Sequence, residues 1–171
     1  CAMTEALATM LDAALDRDGN GMASLRQELG YVDAYLYIIS QRLGPALIDT
    51  KDVDEALLDI VIPRLILQPI VENAVEHDLT PRRGGHLAVR VRREGDLLRL
   101  EVEHDGQITA EERAQIDALL SGEPDGNSAG KVGLRNVRER LHLLYGERAS
   151  LTIEQATADS ILAAISLPLD G

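Results

Sequence analysis

Between Leu87 and His104 apolar and polar residues alternate with a period of two, and this alternation restricts the fold more than any other feature of the chain. Leu87, Val89 and Val91 form one apolar set, and Leu98, Leu100, Val102 and His104 form the other, on either side of the turn "REGD". A period of two belongs to a strand with one dry and one wet face. The segment reads as a β-hairpin whose dry face needs a covering layer. Two final strands, Leu151/Ile153 and Ile161/Ala163/Ile165/Leu167, repeat the pattern.

The covering layer is sought in segments of helical period. Residues 4–15 carry Leu7, Met10, Leu11 and Leu15 at helical spacing, and a glycine-rich turn follows at "DRDGNG". From Leu25 the apolar positions run Leu29, Val32, Leu36, Ile39 and Leu43, the seam of a helix packed on another helix. Ser24 and Gln27 form a capping box at its start, and Gly44-Pro45 ends it. Residues 46–62 read as an irregular strand region. Pro63 is expected to open a helix that runs through "LILQPIVENAVEHDL" to about Asp78, before the loop "TPRRGG". Thr109 and Glu112 cap a helix over about 110–120. Residues 121–131 have the composition of a mobile loop. A last helix over about 133–145 shows Leu134, Val137, Leu141 and Leu144 on one side. Antiparallel strands with helices on one face predict an α+β two-layer sandwich over 44–171, with residues 1–43 as a separate helical hairpin.

Composition excludes several classes. The chain has no Phe and no Trp, so its core is aliphatic, and its formal net charge is −12. Binding to nucleic acid through bulk electrostatics needs a basic face and is not expected. The six arginines between Arg82 and Arg99 are diluted by Glu94 and Asp96 and read as a solvated sheet face. Cys1 is the lone cysteine, so no disulfide closes within the chain. No apolar run reaches about 18 residues, which points to a cytoplasmic setting. Asp16, Asp18, Asn20 and Gly21 imitate a calcium loop, but Gln27 stands where that loop needs a bidentate carboxylate. A tight turn rich in side-chain acceptors is the better reading.

Three stretches could carry chemistry. Asn73 and His77 are four apart and share a helix face, with Glu72 and Glu76 on the neighbouring one. An amide oxygen beside a carboxylate suits a hard cation such as Mg²⁺, and also suits a plain solvated edge. His104 continues an inward-facing strand set just before Gly106, as a ligand or as a core-edge histidine. In "GKVGLRNVRERL" the glycines stand before a helix N-terminus, where backbone N–H groups meet an anion or simply begin an ordinary helix.

The three occur in one order. "LILQPIVENAVEH", then a strand ending "V-x-H-D-G", then "VGLRNVRERLHLLYG" closely resembles the catalytic region of LytS-type sensor histidine kinases, within the GHKL or Bergerat-fold ATPases. "SLRQELGYVDAYLYIISQRLG" resembles the helix that precedes the ATP-binding domain in that family. The resemblance implies Mg²⁺ coordination by Asn73, with Glu72 as the adjacent acidic catalytic position and His77 as the basic residue one turn later. It implies an adenine pocket at His104, Asp105 and Gly106. Gly130, Lys131, Gly133 and Leu134 would face the phosphates beneath a lid over 121–131.

The pattern has departures. The family carries an Asp where His104 stands, and Asp105 is one residue out of register, which turns its side chain to the other sheet face. Ile108, Ala129, Lys131 and Asp78 occupy places where the family has glycine. The phosphoacceptor motif is absent, since His77, His86, His104 and His142 all lack its setting. The expected function is therefore γ-phosphoryl transfer from Mg-ATP to a histidine outside this chain. The expected partners are ATP or ADP, a response regulator, and a second copy of the chain through the N-terminal helices. The full-length protein would be attached to a membrane by segments not present here. Two alternatives stay open: a pseudokinase scaffold that binds nucleotide weakly or not at all, and another GHKL protein such as an anti-sigma kinase, against which the 24–44 helix argues.

Overall fold

The computed structural model describes residues 1–15, 19–123 and 131–169. Asp16 and Asp18 of the imitated calcium loop, Gly130, and most of the expected lid lie outside these residues. Helix α1 spans Ala2–Ala14 and α2 spans Leu25–Leu43. The capping box is present: the Ser24 side chain accepts from the Gln27 backbone N–H, and the Gln27 side chain accepts from Ser24 N at 2.8 Å. Between the two helices runs a three-residue strand, β1 (Met22–Ser24).

The region expected to be irregular resolves into β2 (Leu47–Val53), a 3₁₀ turn over Glu55–Leu57, and β3 (Val61–Pro63). Strand β3 pairs antiparallel with β1 as a small ribbon. Pro63 therefore ends a strand rather than opening a helix. The site helix, α3, begins at Gln68 and runs to Ala74. It continues as a π-helical turn over Val75–Leu79 and a short α4 over Thr80–Arg82. The chain then reverses through Arg83, Gly84 and Gly85. Gly84 is needed there, because a Cβ would lie 2.4 Å from the Ala46 carbonyl oxygen.

The hairpin forms as expected, with β4 (Gly85–Glu94) and β5 (Leu97–Asp105) joined at Gly95-Asp96. Helices α5 (Ala110–Ser121) and α6 (Val132–Tyr145) follow, then strands β6 (Ser150–Thr157) and β7 (Ser160–Pro168). The Thr109/Glu112 capping box is present. Leu144 departs from expectation and is exposed; the buried stripe of α6 is Leu134, Val137 and Leu141.

The main sheet has the order β2-β4-β5-β7-β6. Its pairs are antiparallel except β2–β4, which is parallel. This corrects the all-antiparallel expectation, since a parallel pair requires a crossover, and β3, α3, the π turn and α4 all lie within it. The inner face is aliphatic, with Leu87, Val89, Val91, Leu98, Leu100, Val102, Ile165 and Leu167 all buried. The outer face carries ion pairs, among them Arg90 with Glu103 at 2.6 Å and Arg99 with Glu101 at 2.7 Å. Arg90, Arg92 and Arg99 of the arginine run thus form a charged sheet face, whereas Arg82 ends α4 and Arg83 lies in the turn after it.

Helix α2 does not stand apart from the sandwich. Leu25, Leu29, Val32 and Leu36 belong to the same buried cluster as the sheet and α3. Its Glu28 is fully buried at 0% exposure. The Glu28 carboxylate accepts from the backbone N–H groups of Leu65 (2.6 Å), Ile66 (3.2 Å) and Leu67 (3.2 Å). These groups precede α3, where Leu65 adopts a left-handed φ of 53°. Burial pushes the Glu28 pKa up, against the opposing pull of the three N–H groups and Arg64. Arg64 in turn donates to the carbonyls of Asp12 (2.8 Å), Ala13 (3.1 Å) and Leu15 (3.2 Å), closing the C-terminal end of α1.

Glu28→Ala leaves three backbone donors without their acceptor, at about 1–3 kcal/mol each when buried. The expected result is a stability loss of about 3 kcal/mol or more in urea unfolding at neutral pH, with a smaller loss for Glu28→Gln, which retains one acceptor oxygen.

Candidate functional site

A cavity lies between α3 with its π turn, the inner sheet face near the end of β5, and the start of α6. Ile70, Asn73, His77, Asp78, His104 and Leu134 line it, together with Lys131, Glu112 and residues of β6 and β7. Five of the expected site residues in the described part of the chain thus come together: Asn73, His77, His104, Lys131 and Leu134. The cavity measures about 40 Å³, room for a few waters and too little for a nucleotide base until its walls move apart.

The Asn73 side-chain oxygen is buried and has no hydrogen-bond partner among the described residues. Buried amide oxygens are ordinarily satisfied, so an orphan calls for an explanation. Among the described residues no group of three or more His, Cys, Asp or Glu is placed to hold a metal ion. The donor set therefore suits a hard cation that takes one protein oxygen and draws its remaining oxygens from a ligand and water, as Mg²⁺ does with phosphates. It does not suit an all-protein metal cage.

His104 is 4% exposed. Its Nδ1 lies 3.1 Å from the Asp105 carbonyl oxygen and 3.7 Å from Asp78 Oδ2. Burial holds its pKa below the usual imidazole range, outweighing the Asp105 carbonyl and the nearby carboxylates, which pull it upward. A neutral ring whose Nδ1–H donates to a carbonyl presents Nε2 as an acceptor.

Other expected site residues sit elsewhere. Asp105 faces the opposite side of the sheet, where its Oδ2 accepts from His86 N at 2.8 Å and meets His86 Nδ1 at 3.1 Å. It does not line the cavity. Glu72 turns away as well: its Oε1 accepts from Gln68 Nε2 at 2.8 Å, and its charge helps raise the pKa of Tyr35 on α2, behind the larger effect of burial. Gly133 is exposed, against Pro69, and is not a lining residue. Gly106 lies between two lining residues. A Cβ there would stand 2.8 Å from Ile161 Cδ1 and 2.9 Å from Asp78 Oδ1, so a side chain at this position would push both lining side chains aside.

Two residues that shape the cavity wall escaped sequence reasoning. Asp78 enters the cavity wall because the π turn is wider than an α turn and carries the fifth residue after Asn73 round to its side. Its occupation of a glycine place in the family pattern was the available signal. Gln155 is the second. Its Oε1 accepts from Ile108 N at 2.7 Å, and its Nε2 donates to Gly106 O at 3.1 Å and Ser160 O at 2.9 Å. One amide thus pins the segment after β5 that forms a cavity wall. Nothing in its strand alternation distinguishes it.

With this geometry in place, comparison with known proteins gives the class. Residues 58–170 match the family described as histidine kinase-, DNA gyrase B-, and HSP90-like ATPase. The chain belongs to that family. Among curated proteins it is 35% identical to the sensor histidine kinase YpdA of Escherichia coli (strain K12) over 124 residues, 72% of this chain and 21% of that protein. It is 28% identical to the sensor protein LytS of Oceanobacillus iheyensis over 157 residues, 91% of this chain and 27% of that protein. The chain thus spans about a fifth to a quarter of these two relatives. Its fold is like the catalytic domain of histidine kinase ThkA, with a TM-score of 0.65 at 14% identity, covering 86% of this chain and 93% of that one.

The His104 shift has a stability consequence. The unfolded chain binds a proton near the ordinary imidazole pKa of about 6.5, and the folded chain binds it only at lower pH. The stability tied to this residue is complete above that pH and is lost as pH falls through the lower folded value. NMR titration is expected to place His104 below the ordinary range. It should fall further in Asp78→Asn, because the Asp78 charge is among the effects that raise it.

Proposed function

We propose that this chain is the ATP-binding catalytic part of a bacterial two-component sensor histidine kinase, which transfers the γ-phosphoryl group of Mg-ATP to a histidine outside the chain. The observation that carries this reading is the buried, unpartnered oxygen of Asn73 in the wall of a cavity where aliphatic side chains stand beside His77, Asp78, His104 and Lys131. That oxygen faces no donor, and a cation delivered with a nucleotide supplies what it lacks. Bound Mg²⁺ would neutralise phosphate charge. The residues of the chain do the rest.

Ile70, Leu134, Ile161 and Ala163 form the apolar slot for a base. Lys131, at the start of α6, brings a positive charge to the same cavity. Catalysis in this class is largely positioning and charge neutralisation, and these groups are arranged for it. Glu72 points toward Gln68 and Tyr35, so a catalytic role for it does not follow from its placement. Residues 1–43 are proposed as part of a dimerisation and phosphotransfer region, with a response regulator as the downstream partner. Among the described residues no helix is long and apolar enough to cross a membrane. The attachment of related sensors is proposed to reside in segments beyond this chain.

Calorimetric titration with Mg-ADP tests the reading. Wild type is expected to bind, and Asn73→Ala to bind at least about tenfold more weakly, as loss of a charge-associated contact implies. Chelation of Mg²⁺ should weaken wild type in the same direction. Binding indifferent to both changes, or silence of wild type at millimolar ligand, would remove the proposal.

A further inference from the structure

Two carboxylates line the cavity, Asp78 and Glu112. The Glu112 carboxylate is committed to its capping box, with Oε2 accepting from Thr109 N and Thr109 Oγ1, each at 2.8 Å. Asp78 accepts no hydrogen bond among the described residues. Its ion-pair contact among the described residues is His104 Nδ1 at 3.7 Å, and that N–H is directed to the Asp105 carbonyl at 3.1 Å. Yet the Asp78 side chain is only 17% exposed. Its Oδ1 and Cγ lie 2.9 and 3.1 Å from where a Cβ on Gly106 would be, so the carboxylate rests directly over that glycine.

The charged groups around it are His104, Glu112, Arg82 and His77, and burial outweighs their net attraction to leave its pKa raised. A half-buried carboxylate whose hydrogen bonds are left to water can exchange them for the N–H groups of a ligand. Beside it, neutral His104 offers Nε2 as a second acceptor, and around both stand Ile70, Ile161 and Leu134. Acceptors at one end of an apolar slot match a flat heterocycle that carries an exocyclic amino group. A keto oxygen at that place would set acceptor against acceptor.

We propose that Asp78 is the specificity-determining residue of this cavity, its carboxylate accepting from the exocyclic amino group of an adenine base with His104 as its neighbour. The inference rests on the nucleotide-binding reading above and adds which residue reads the base. The carboxylate is delivered by the π turn between α3 and α4, not by the end of β5.

Titration of the whole chain with Mg-ADP and Mg-IDP tests it, because the two bases differ by amino and keto groups at one position. Wild type is expected to favour Mg-ADP. Asp78→Asn is nearly isosteric and should weaken Mg-ADP by about 10- to 150-fold, the value of a charged hydrogen bond. It should weaken Mg-IDP far less, since an amide can turn its NH₂ toward a keto oxygen. His104→Asp alone sets two carboxylates side by side and should also weaken Mg-ADP. The double variant Asp78→Gly/His104→Asp, with a single carboxylate moved to the strand end, should recover most of it. An unchanged ADP-to-IDP ratio in Asp78→Asn, or a gain of Mg-ADP affinity in His104→Asp alone, overturns the assignment. If Asn73→Ala still loses Mg-ADP in that case, the nucleotide reading survives. A wild type silent toward both nucleotides overturns the two together.

Discussion

The buried carboxylate of Glu28 is the interaction on which the rest of the arrangement depends. A carboxylate at 0% exposure is unfavourable by itself, and here it is offset by three converging backbone N–H groups. Those N–H groups belong to the segment that leads into α3, including Leu65 in its left-handed conformation. The direction in which α3 leaves the small β1–β3 ribbon is thereby fixed from α2. Arg64, one residue earlier, holds the end of α1 and lies 6.0 Å from the Tyr31 ring centroid. Arg140 on α6 donates to the Arg64 carbonyl. Four helices thus meet at one short polar junction, and Asn73 is placed by the helix that starts there.

The cavity has a different electrical character from the rest of the molecule. The outer sheet face satisfies its charges in pairs, and the chain carries a large net negative charge. Inside the cavity two acceptors lack a hydrogen-bond donor among the described residues, Asn73 Oδ1 and the Asp78 carboxylate. Such an imbalance costs stability in an isolated domain. It is a common feature of sites whose missing donors and cation arrive with a ligand.

Much of the fold was legible because it rests on local patterns. The hairpin followed from strict alternation between Leu87 and His104. Both capping boxes followed from residue type at fixed spacing, and the inward position of His104 followed from register alone. Three features were not legible, for physical reasons. The parallel pairing of β2 depends on the crossover closing over a non-local partner, and no local pattern encodes that. Pro63 suits a helix start and a strand end equally, and the tie was broken by pairing with β1 and by the distant Glu28. In the site, Asn73 and His77 were found by assuming an α-helical period. Asp78 was missed because the π turn changes that period within the motif itself. Gln155 could not be found, since its role lies in contacts with Gly106, Ile108 and Ser160 across the sheet edge.

The strand order bears on how the protein is made. The wall that holds Asn73 and Asp78 is contained in the crossover between β2 and β4, while Ile153, Ile161 and Ala163 of the facing wall come from the last two strands. The central strand β5 finds its second neighbour, β7, only after α5, α6 and β6 have been made. Domains emerge from synthesis N-terminus first, so a nascent chain can make the Glu28 and Arg64 contacts of the junction before the facing wall exists. A polypeptide cut short before β7 would present the Glu28 junction and an open sheet edge, and would lack Ile161 and Ala163 of the cavity wall. Completion of the cavity wall therefore waits on β7.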